Sequence, residues 1–376
     1  MSKNRAYKSA GYLGIMVCET RGDLPIPEKS FCRRLCEVGR KHGITVFVFS
    51  PTWLRPKLGR VVGYTYTDKG WERGAFPIPT VVYDRCYYST LQKYLEIQRA
   101  IQRLNELSPL TFLGRGLKGK WDVYQIMSCY ESVIPYLPRT ALYDSTSSLI
   151  EWIEACGGEV FLKPHGGSHG KNTLYVQRKG DKLFIRGRSA SNEIIERVFK
   201  QEAAGYRWIH QWIGYRKFIM QPYLYLNNRN EEPFDIRSLV QKNEHGEWQL
   251  TGMAVRRGKP GSLTSNLHGG GHAESAIPFL EREFGNVKTA SLIKSIKELS
   301  QQIPILLEER HGRLAELGID FGIDRDGNLW ILEVNSKPGR SIFLQMNDRS
   351  TALKSVENPI LYARYLLLRQ LRRVHS

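Results

Sequence analysis

Two apolar runs face each other across a short polar turn in LGIDFGIDRDGNLWILEVNSKPG, residues 317–339. Alternation within LGIDFGI and NLWILEV, with Asp324, Arg325, Asp326 and Gly327 between them, predicts a strand-turn-strand hairpin. Side chains two apart on a strand share a face, so Glu333 and Asn335 lie together, and Asp320 on the partner strand can point to the same surface. Three hard oxygen donors so grouped suit an octahedral magnesium ion that keeps room for phosphate oxygens and water. Carboxylates this close repel one another without a cation. A calcium loop of the EF-hand type is the competing reading, since Asp324, Asp326, Gly327 and Glu333 fit four of its positions. It is disfavoured because Gly322 takes the first ligand position and LWILEV reads as strand where a helix should leave the loop.

The rest of the chain limits the setting of that hairpin. Its 376 residues are 41% apolar, enough for two or three packed units, and no apolar run reaches membrane-spanning length. The start, MSKNRAYKSAGYLGIMVCE, lacks a small-residue cleavage site, so a secreted precursor is disfavoured and a cytoplasmic setting is expected. Cys18, Cys32, Cys36, Cys86, Cys129 and Cys156 are scattered, as reduced thiols are in a long intracellular chain. Cys32 and Cys36 sit one helical turn apart but have no matching His or Cys pair downstream, which argues against zinc.

Residues 11–17 and 44–50 are β-rich and flank a helical pattern of Phe31, Leu35 and Val38 that stops at Gly43, which reads as a βαβ unit. A hairpin turning at Asp68, Lys69 and Gly70 comes next, then the strand PTVVYDRC (79–86) and a helix over 91–107. These make residues 1–115 a small α/β domain. A second unit, 116–226, holds the helix LIEWIEACGG (149–158), a strand EVFLKP, a glycine-rich loop, two strands joined at Lys179, Gly180 and Asp181, a long helical stretch over 191–214 and the strand RKFIMQPYLYL (216–226). A third, 227–376, runs from FDIRSLVQK and WQLTGMAVRRG through SLTSNLHGGGH and a helix near 284–311 to the acidic hairpin. It ends in an amphipathic helix, expected to dock on the surface with Leu361, Tyr365 and Leu368 on one face.

The loop KPHGGSHGK (163–171) has glycines that free backbone amides to meet phosphate oxygens, with Lys163 and Lys171 for charge. It is not a Walker A loop, because His165 stands where that motif requires glycine and Asn172 where it requires Ser or Thr. Taken alone, the segment is equally compatible with a plain hairpin turn.

In order, Lys120, FLKPHGGSHGK, FIMQPYL, DIR, MAVRRG, SNLHGGG and GIDFGI with LWILEVNSKPG resemble the ATP-grasp superfamily over residues 112 to 345. The basic N-terminal domain with GYLGIMV, the Trp71 hairpin and PTVVYDR resembles the YheC/YheD family, described as endospore coat-associated proteins of spore-forming Firmicutes. DIR and NLHGGG are also similar to ligases that add glutamate to ribosomal proteins and to glutathione synthetases. The resemblance implies an α/β (α+β) ATP-grasp fold in which an N-terminal βαβ domain precedes two subdomains that clamp ATP. It implies that Lys120 and Lys163 meet nucleotide phosphates, that Gly166, Gly167, Ser168 and Gly170 cover them, and that Gln221, Pro222, Tyr223 and Leu224 form the hinge beside adenine, where Pro222 removes one N–H. Asp235 is implied as a ribose contact, and Arg237 and Arg256 as basic residues near the transferred phosphate. Asn266 and Gly269–Gly271 are implied for the acceptor side, and Asp320, Glu333 and Asn335 as ligands of Mg²⁺, with Mn²⁺ as a second candidate. His165 and His169 depart from the pattern.

The same resemblance implies a carboxylate–amine or carboxylate–thiol ligase that acts through an acylphosphate, a reaction needing positioning and charge neutralisation more than covalent help. The formal net charge of +18 exceeds what nucleotide binding uses, so an anionic small molecule, a peptide or an anionic spore-surface component is the expected partner. Nucleic acid is disfavoured, since the aromatic residues fall mostly in core-forming segments. The alternative function is a structural, coat-associated protein that keeps a nucleotide fold with little turnover.

Overall fold

The computed structural model describes residues 10–167, 170–265 and 271–374. In the N-terminal domain, strands β1 (Gly11–Met16), β2 (Ile44–Phe49), β3 (Leu54–Arg55), β4 (Arg60–Thr67), β5 (Gly70–Pro77), β6 (Val81–Asp84) and β7 (Thr111–Phe112) form one sheet. Its order is β3-β4-β2-β1-β6-β7, with β5 paired to β4. The parallel pairing of β1 with β2 is the expected βαβ unit, closed by helix α1 (Lys29–Lys41). Phe31, Cys32, Leu35, Cys36 and Val38 of α1 are buried against it. The β4–β5 hairpin turns where the sequence predicts, through Gly70 in the left-handed region at φ 105°. Helix α2 (Leu91–Leu107) covers the other face through Ile97 and Leu104, and Thr90 caps it by accepting from the Lys93 amide.

After helix α3 (Lys120–Met127), a second sheet is built from β8 (Ala141–Leu142), β9 (Glu159–Pro164), β10 (Thr173–Lys179), β11 (Lys182–Arg188), β12 (Ile194–Phe199) and β13 (Phe218–Pro222), in the order β12-β11-β10-β9-β13-β8. Helices α4 (Thr146–Ala155) and α5 (Glu202–Ile213) pack on one face, where Leu149, Ile153, Tyr206 and Ile209 meet Val160, Leu162, Leu174 and Val176. The 191–214 stretch is therefore not one helix. Its first half is the edge strand β12, paired antiparallel with β11 from Ile194↔Arg188 to Phe199↔Leu183, and only its second half is α5. The β-branched residues Ile194, Ile195 and Val198 fit a pleated edge, and pairing with β11 gives that backbone its hydrogen bonds.

The third sheet has β14 (Phe234–Lys242), β15 (Trp248–Arg257), β16 (His272–Glu274), β17 (Glu316–Ile323) and β18 (Leu329–Asn335), in the order β16-β15-β14-β17-β18. One face packs on α6 (Ala276–His311), with Phe234, Ile236, Ile319 and Phe321 buried against Phe279, Ile296 and Ile303. Helix α6 starts earlier than the sequence suggests and is broken at Gly285, whose φ of 76° and ψ of 166° are not helical. The acidic hairpin forms as expected around Gly327 at φ 77°. The Asp324 carboxylate accepts from the amides of Asp326 and Asn328, from the Asn328 side chain and from the Trp330 indole. It is thus consumed in building the turn, and LWILEV is strand β18 rather than the exiting helix of a calcium loop.

Short helix α7 (Ser341–Gln345) leads into α8 (Arg349–Val374), which does more than dock on a surface. Val356, Ile360, Tyr362, Ala363, Leu366 and Leu367 enter the same core as Leu13, Ile15, Leu35 and Val46 of the N-terminal domain. The deeply buried residues are neighbours of Tyr365 and Leu368, which are only half-buried. A buried polar cluster joins the domains beneath it: Glu316 accepts from Tyr83 (2.5 Å) and Gln241 (3.0 Å), pairs with Arg340, and lies 3.5 Å from Arg85. Among the described residues, no helix is long and apolar enough to cross a membrane.

Candidate functional site

The exposed-face residues of the second and third sheets meet across a cleft. Alternation along β9 sends Val160 and Leu162 into the core and leaves Phe161 and Lys163 on the cleft side, beside Thr173 and Gln221. From the third sheet come Asp235, Arg256, Asp320, Leu332 and Glu333. Pro222, Tyr223, Leu224, Leu226 and Asn227 form one wall between the two sheets, with Leu263, Thr264 and Ser265 also lining the cleft.

The charged floor is set by strand register. Asp235 pairs with Arg256 across β14 and β15, Arg237 with Asp320 across β14 and β17, and Asp320 with Glu333 across β17 and β18. Asp320 takes hydrogen bonds from Arg237 Nε and Nη2, the latter at 2.9 Å, and from Arg256 Nη2 at 2.9 Å. Arg256 also makes a two-point contact to Asp235 at 2.6 and 2.8 Å, and Ser265 donates to the same carboxylate. Burial opposes the Asp320 charge, but Arg237 and Arg256 outweigh it and hold the carboxyl below its usual range. At Asp235, burial dominates and leaves the carboxyl above its usual range despite Arg256.

Between Asp320↔Glu333 and Phe321↔Ile331 the register slips, leaving Leu332 as the extra residue of a β-bulge. The bulge turns Leu332 and Glu333 both to the cleft, while Ile331 and Val334 stay in the core. It also frees the Leu332 carbonyl, which accepts from Lys163 Nζ at 3.1 Å. Regular alternation in the sequence gives no sign of this, and Leu332 is absent from the residues expected at the site. Burial pulls the Lys163 ammonium down to about 8, with Lys120 also lowering it and Glu333 and Asp320 working the other way.

Lys120 opens α3, and its Nζ bridges Glu333 Oε1 (3.1 Å) and the Gly167 carbonyl (2.8 Å). His165 explains how. Its carbonyl accepts from the Lys120 amide at 2.8 Å, its Nδ1 lies 3.3 Å from the Trp121 amide, and its Nε2 is 3.2 Å from Asp122. This residue therefore satisfies otherwise orphaned donors at the start of α3 and ties that helix to the glycine loop. A side chain on Gly119 would collide with the ring.

Gly166, Gly167 and Gly170 lie along the loop between β9 and β10, with Gly167 at φ 107° and Gly170 at φ 67°. At its far end Asn172, at φ 55°, accepts from Arg216 Nη1 at 2.8 Å. Gln221 donates to Thr140 at 2.8 Å, and Tyr223 packs on Tyr175 with ring centroids 4.3 Å apart. Glu159 braces this corner by accepting from the hydroxyls of Tyr175 (2.7 Å) and Tyr225 (2.5 Å). Pro222 and Leu224 line the same wall. Asn335 shares with Glu333 a recess on the α3 side of the cleft, together with Lys120 and His165. Ser168, His169, Asn266, Gly269 and Gly270 lie outside the described residues. Among the described residues, no three His, Cys, Asp or Glu side chains form a metal-holding group by themselves.

Two facing sheets that enclose lysines, a glycine-rich loop and a carboxylate pair define the class as an ATP-grasp protein. Solved structures agree on the fold: N5-carboxyaminoimidazole synthetase from Staphylococcus aureus complexed with ADP is similar with a TM-score of 0.54 at 12% identity, over 96% of this chain and 78% of that one. The D-alanine-D-alanine ligase from Coxiella burnetii is similar with a TM-score of 0.53 at 12% identity, over 97% and 99%. Residues 109–366 match the profile of the YheC/D like ATP-grasp family, and the chain belongs to that family. It is 29% identical to endospore coat-associated protein YheC of Bacillus subtilis (strain 168) over 325 residues, 85% of this chain and 88% of the relative. It is 28% identical to endospore coat-associated protein YheD of the same organism over 353 residues, 91% and 75%.

Proposed function

We propose that the protein is an ATP-dependent ligase that joins a carboxylate to an amine or thiol, with ATP held in the cleft between the second and third sheets. The observation that carries this reading is the convergence of Lys120, Lys163, Arg256, Asp320 and Glu333 on one charged floor. Phosphoryl transfer is governed by positioning and charge neutralisation, and this floor offers both. The hinge 221–224 and the apolar Phe161, Leu226 and Leu332 suit a purine ring, while the loop amides of Gly166, Gly167, Ser168 and Gly170 suit its phosphates. In this reading Asp235 acts on the ribose side through the Arg256 pair, and Arg237 and Arg256 steady the transferred group. Asn266 belongs to the acceptor side.

The donor types of Asp320, Glu333 and Asn335 suit a hard divalent cation, which would have to take oxygens now engaged by Arg237, Arg256 and Lys120. Asp320, Glu333 and Asn335 offer oxygens, but their number requires phosphate oxygens and water to complete an octahedron, so Mg²⁺, or Mn²⁺, would enter with the nucleotide. Bound there, the ion would neutralise charge on the transferring phosphoryl group. The acceptor carboxylate takes the γ-phosphoryl group, ADP departs, and the nucleophile displaces inorganic phosphate from the resulting acylphosphate. The net positive charge favours an anionic acceptor, a small molecule, a peptide or a spore-surface component, whose binding should weaken with salt.

A second reading is a coat-associated protein with slow or no turnover. It is favoured by the names of the Bacillus subtilis relatives and by the engagement of both Asp320 oxygens with arginines. Incubation with ATP, Mg²⁺ and pooled carboxylic and amino compounds separates the two. Formation of ADP with a condensation product is expected; ATP binding without ADP formation supports the second reading, and absence of ATP binding overturns both.

A further inference from the structure

Strands β1 and β6 pair in parallel, with Met16 opposite Asp84. Two residues beyond each of these positions the chain carries a cysteine, Cys18 on one side and Cys86 on the other. The register continues past the strands, since the Arg85 amide donates to the Met16 carbonyl at 2.8 Å. It brings the two cysteines side by side at the end of the sheet, where Cys18 packs against the apolar cluster that holds the buried Cys86. The backbone on both sides is already held. The Cys86 amide donates to Asp84 Oδ1 at 2.8 Å, and its carbonyl accepts from Lys337 Nζ at 2.6 Å. Next to Cys18, the Val17 amide donates to the Phe49 carbonyl, and the Glu19 carboxylate accepts from Lys93 and Thr52.

The two sulfurs differ in access. Cys18 is partly exposed and Cys86 is buried. The neighbouring Cys86 thiol, helped by the nearby cation of Lys93 and opposed by burial, draws the Cys18 thiol below its usual range; the Cys18 thiol, burial and Asp84 push Cys86 far above it. An accessible, more acidic thiol beside a shielded partner is the arrangement of an attacking and a resolving cysteine. Three of the other cysteines lack it. Cys32 and Cys36 are buried on α1, their thiols donate to separate carbonyls of Pro27 and Val46, and burial drives them up to about 12 and about 11. Cys129 is exposed and donates to Gln125 of its own turn.

We propose that Cys18 and Cys86 are a peroxide-oxidisable dithiol that closes to a reversible intramolecular disulfide. The Cys18 thiolate attacks one oxygen of hydrogen peroxide, breaking the O–O bond and leaving Cys18 as a sulfenic acid with release of water. The Cys86 sulfur then displaces the hydroxyl group, a second water leaves, and the S–S bond forms; two thiols are oxidised and one peroxide is reduced. The pair lies in the N-terminal domain, and the proposal does not depend on the ligase reading.

The test uses the reduced full-length chain, treated with one equivalent of hydrogen peroxide and then mapped by mass spectrometry after alkylation. A linked peptide pair containing Cys18 and Cys86, lighter by two hydrogens, a loss of two of the six thiols and recovery on reduction are expected. Cys86→Ser should leave Cys18 as a sulfenic acid trapped by dimedone, and Cys18→Ser should abolish rapid thiol loss. Oxidation led by Cys129, or loss of thiols without the linked pair, overturns the proposal. The wild-type peptide map decides it even where a variant folds poorly.

Discussion

Asp320 and Glu333 stand directly opposite each other on β17 and β18, yet each carboxylate has cations of its own. Asp320 is held by Arg237 and Arg256, Glu333 by Lys120 at 3.1 Å. The two acids are thereby kept side by side on one floor, with a β-bulge at Leu332 setting their relation to Lys163. If this pair admits a divalent cation with the nucleotide, Glu333→Gln, which keeps shape but removes charge, should abolish Mg²⁺-enhanced ATP binding and any turnover. Asp326→Asn, in the exposed turn, should leave both within about twofold, since turn residues away from such contacts change little. Calorimetry with ATP, with and without Mg²⁺, reads the difference; equal sensitivity at both positions would remove the carboxylate pair from the site.

If Lys163 meets nucleotide phosphate as proposed, binding should depend on pH. Its ammonium titrates at about 8 in the folded protein, below the 10.5 of a free lysine. Between those values the unfolded chain holds a proton that the folded chain does not, so this group makes stability rise with pH across that window, and below about 8 its full cost is present. Phosphate anions favour the charged form. ATP binding should then take up a proton above about pH 8 and weaken by up to about tenfold per pH unit. Lys163→Ala should weaken binding at every pH, and Lys163→Arg, which stays charged, should flatten the profile. Superimposable titrations of Lys163→Ala and the parent would show that this lysine does not meet phosphate.

Gly119 and His165 are coupled by space. Gly119→Ala drives a methyl group into the imidazole ring, and such overpacking costs about 1–3 kcal/mol. The displaced ring should also release the start of α3 and with it Lys120, lowering ATP affinity. In a His165→Ala background the same substitution should cost much less, because the obstacle is gone. A double-mutant cycle by urea denaturation measures this coupling, and additive effects would contradict it.

Glu316 is the pivot of the cluster that joins the N-terminal domain to the third sheet. Burial works against its charge, but Arg340 and Arg85 hold the carboxyl below its usual range. The stability it contributes is present above the ordinary carboxylate range and is lost as pH falls through the lowered value. Glu316→Gln leaves Arg340 and Arg85 buried without this anion and should destabilise by about 3–5 kcal/mol, whereas Tyr83→Phe should cost about 1 kcal/mol. Urea midpoints at neutral pH compare the two, and a neutral Glu316→Gln would show that the cluster is solvated.

Local pattern by itself determined much of this protein: the βαβ start, the hairpins at Gly70, Gly180 and Gly327, and the strand that carries Lys163. These are properties of periodicity and turn chemistry, which act over a few residues. Tertiary structure decided the rest. Ile194 to Phe199 became a strand because β11 offered an unpaired edge, and α8 entered the N-terminal core because Leu13 and Val46 needed cover. The register slip that aims the Leu332 carbonyl at Lys163, the seat of His165 on Gly119, and the arginines on Asp320 each join residues far apart in the chain. Whether such a contact forms depends on how whole sheets are aligned, and no window of sequence carries that information.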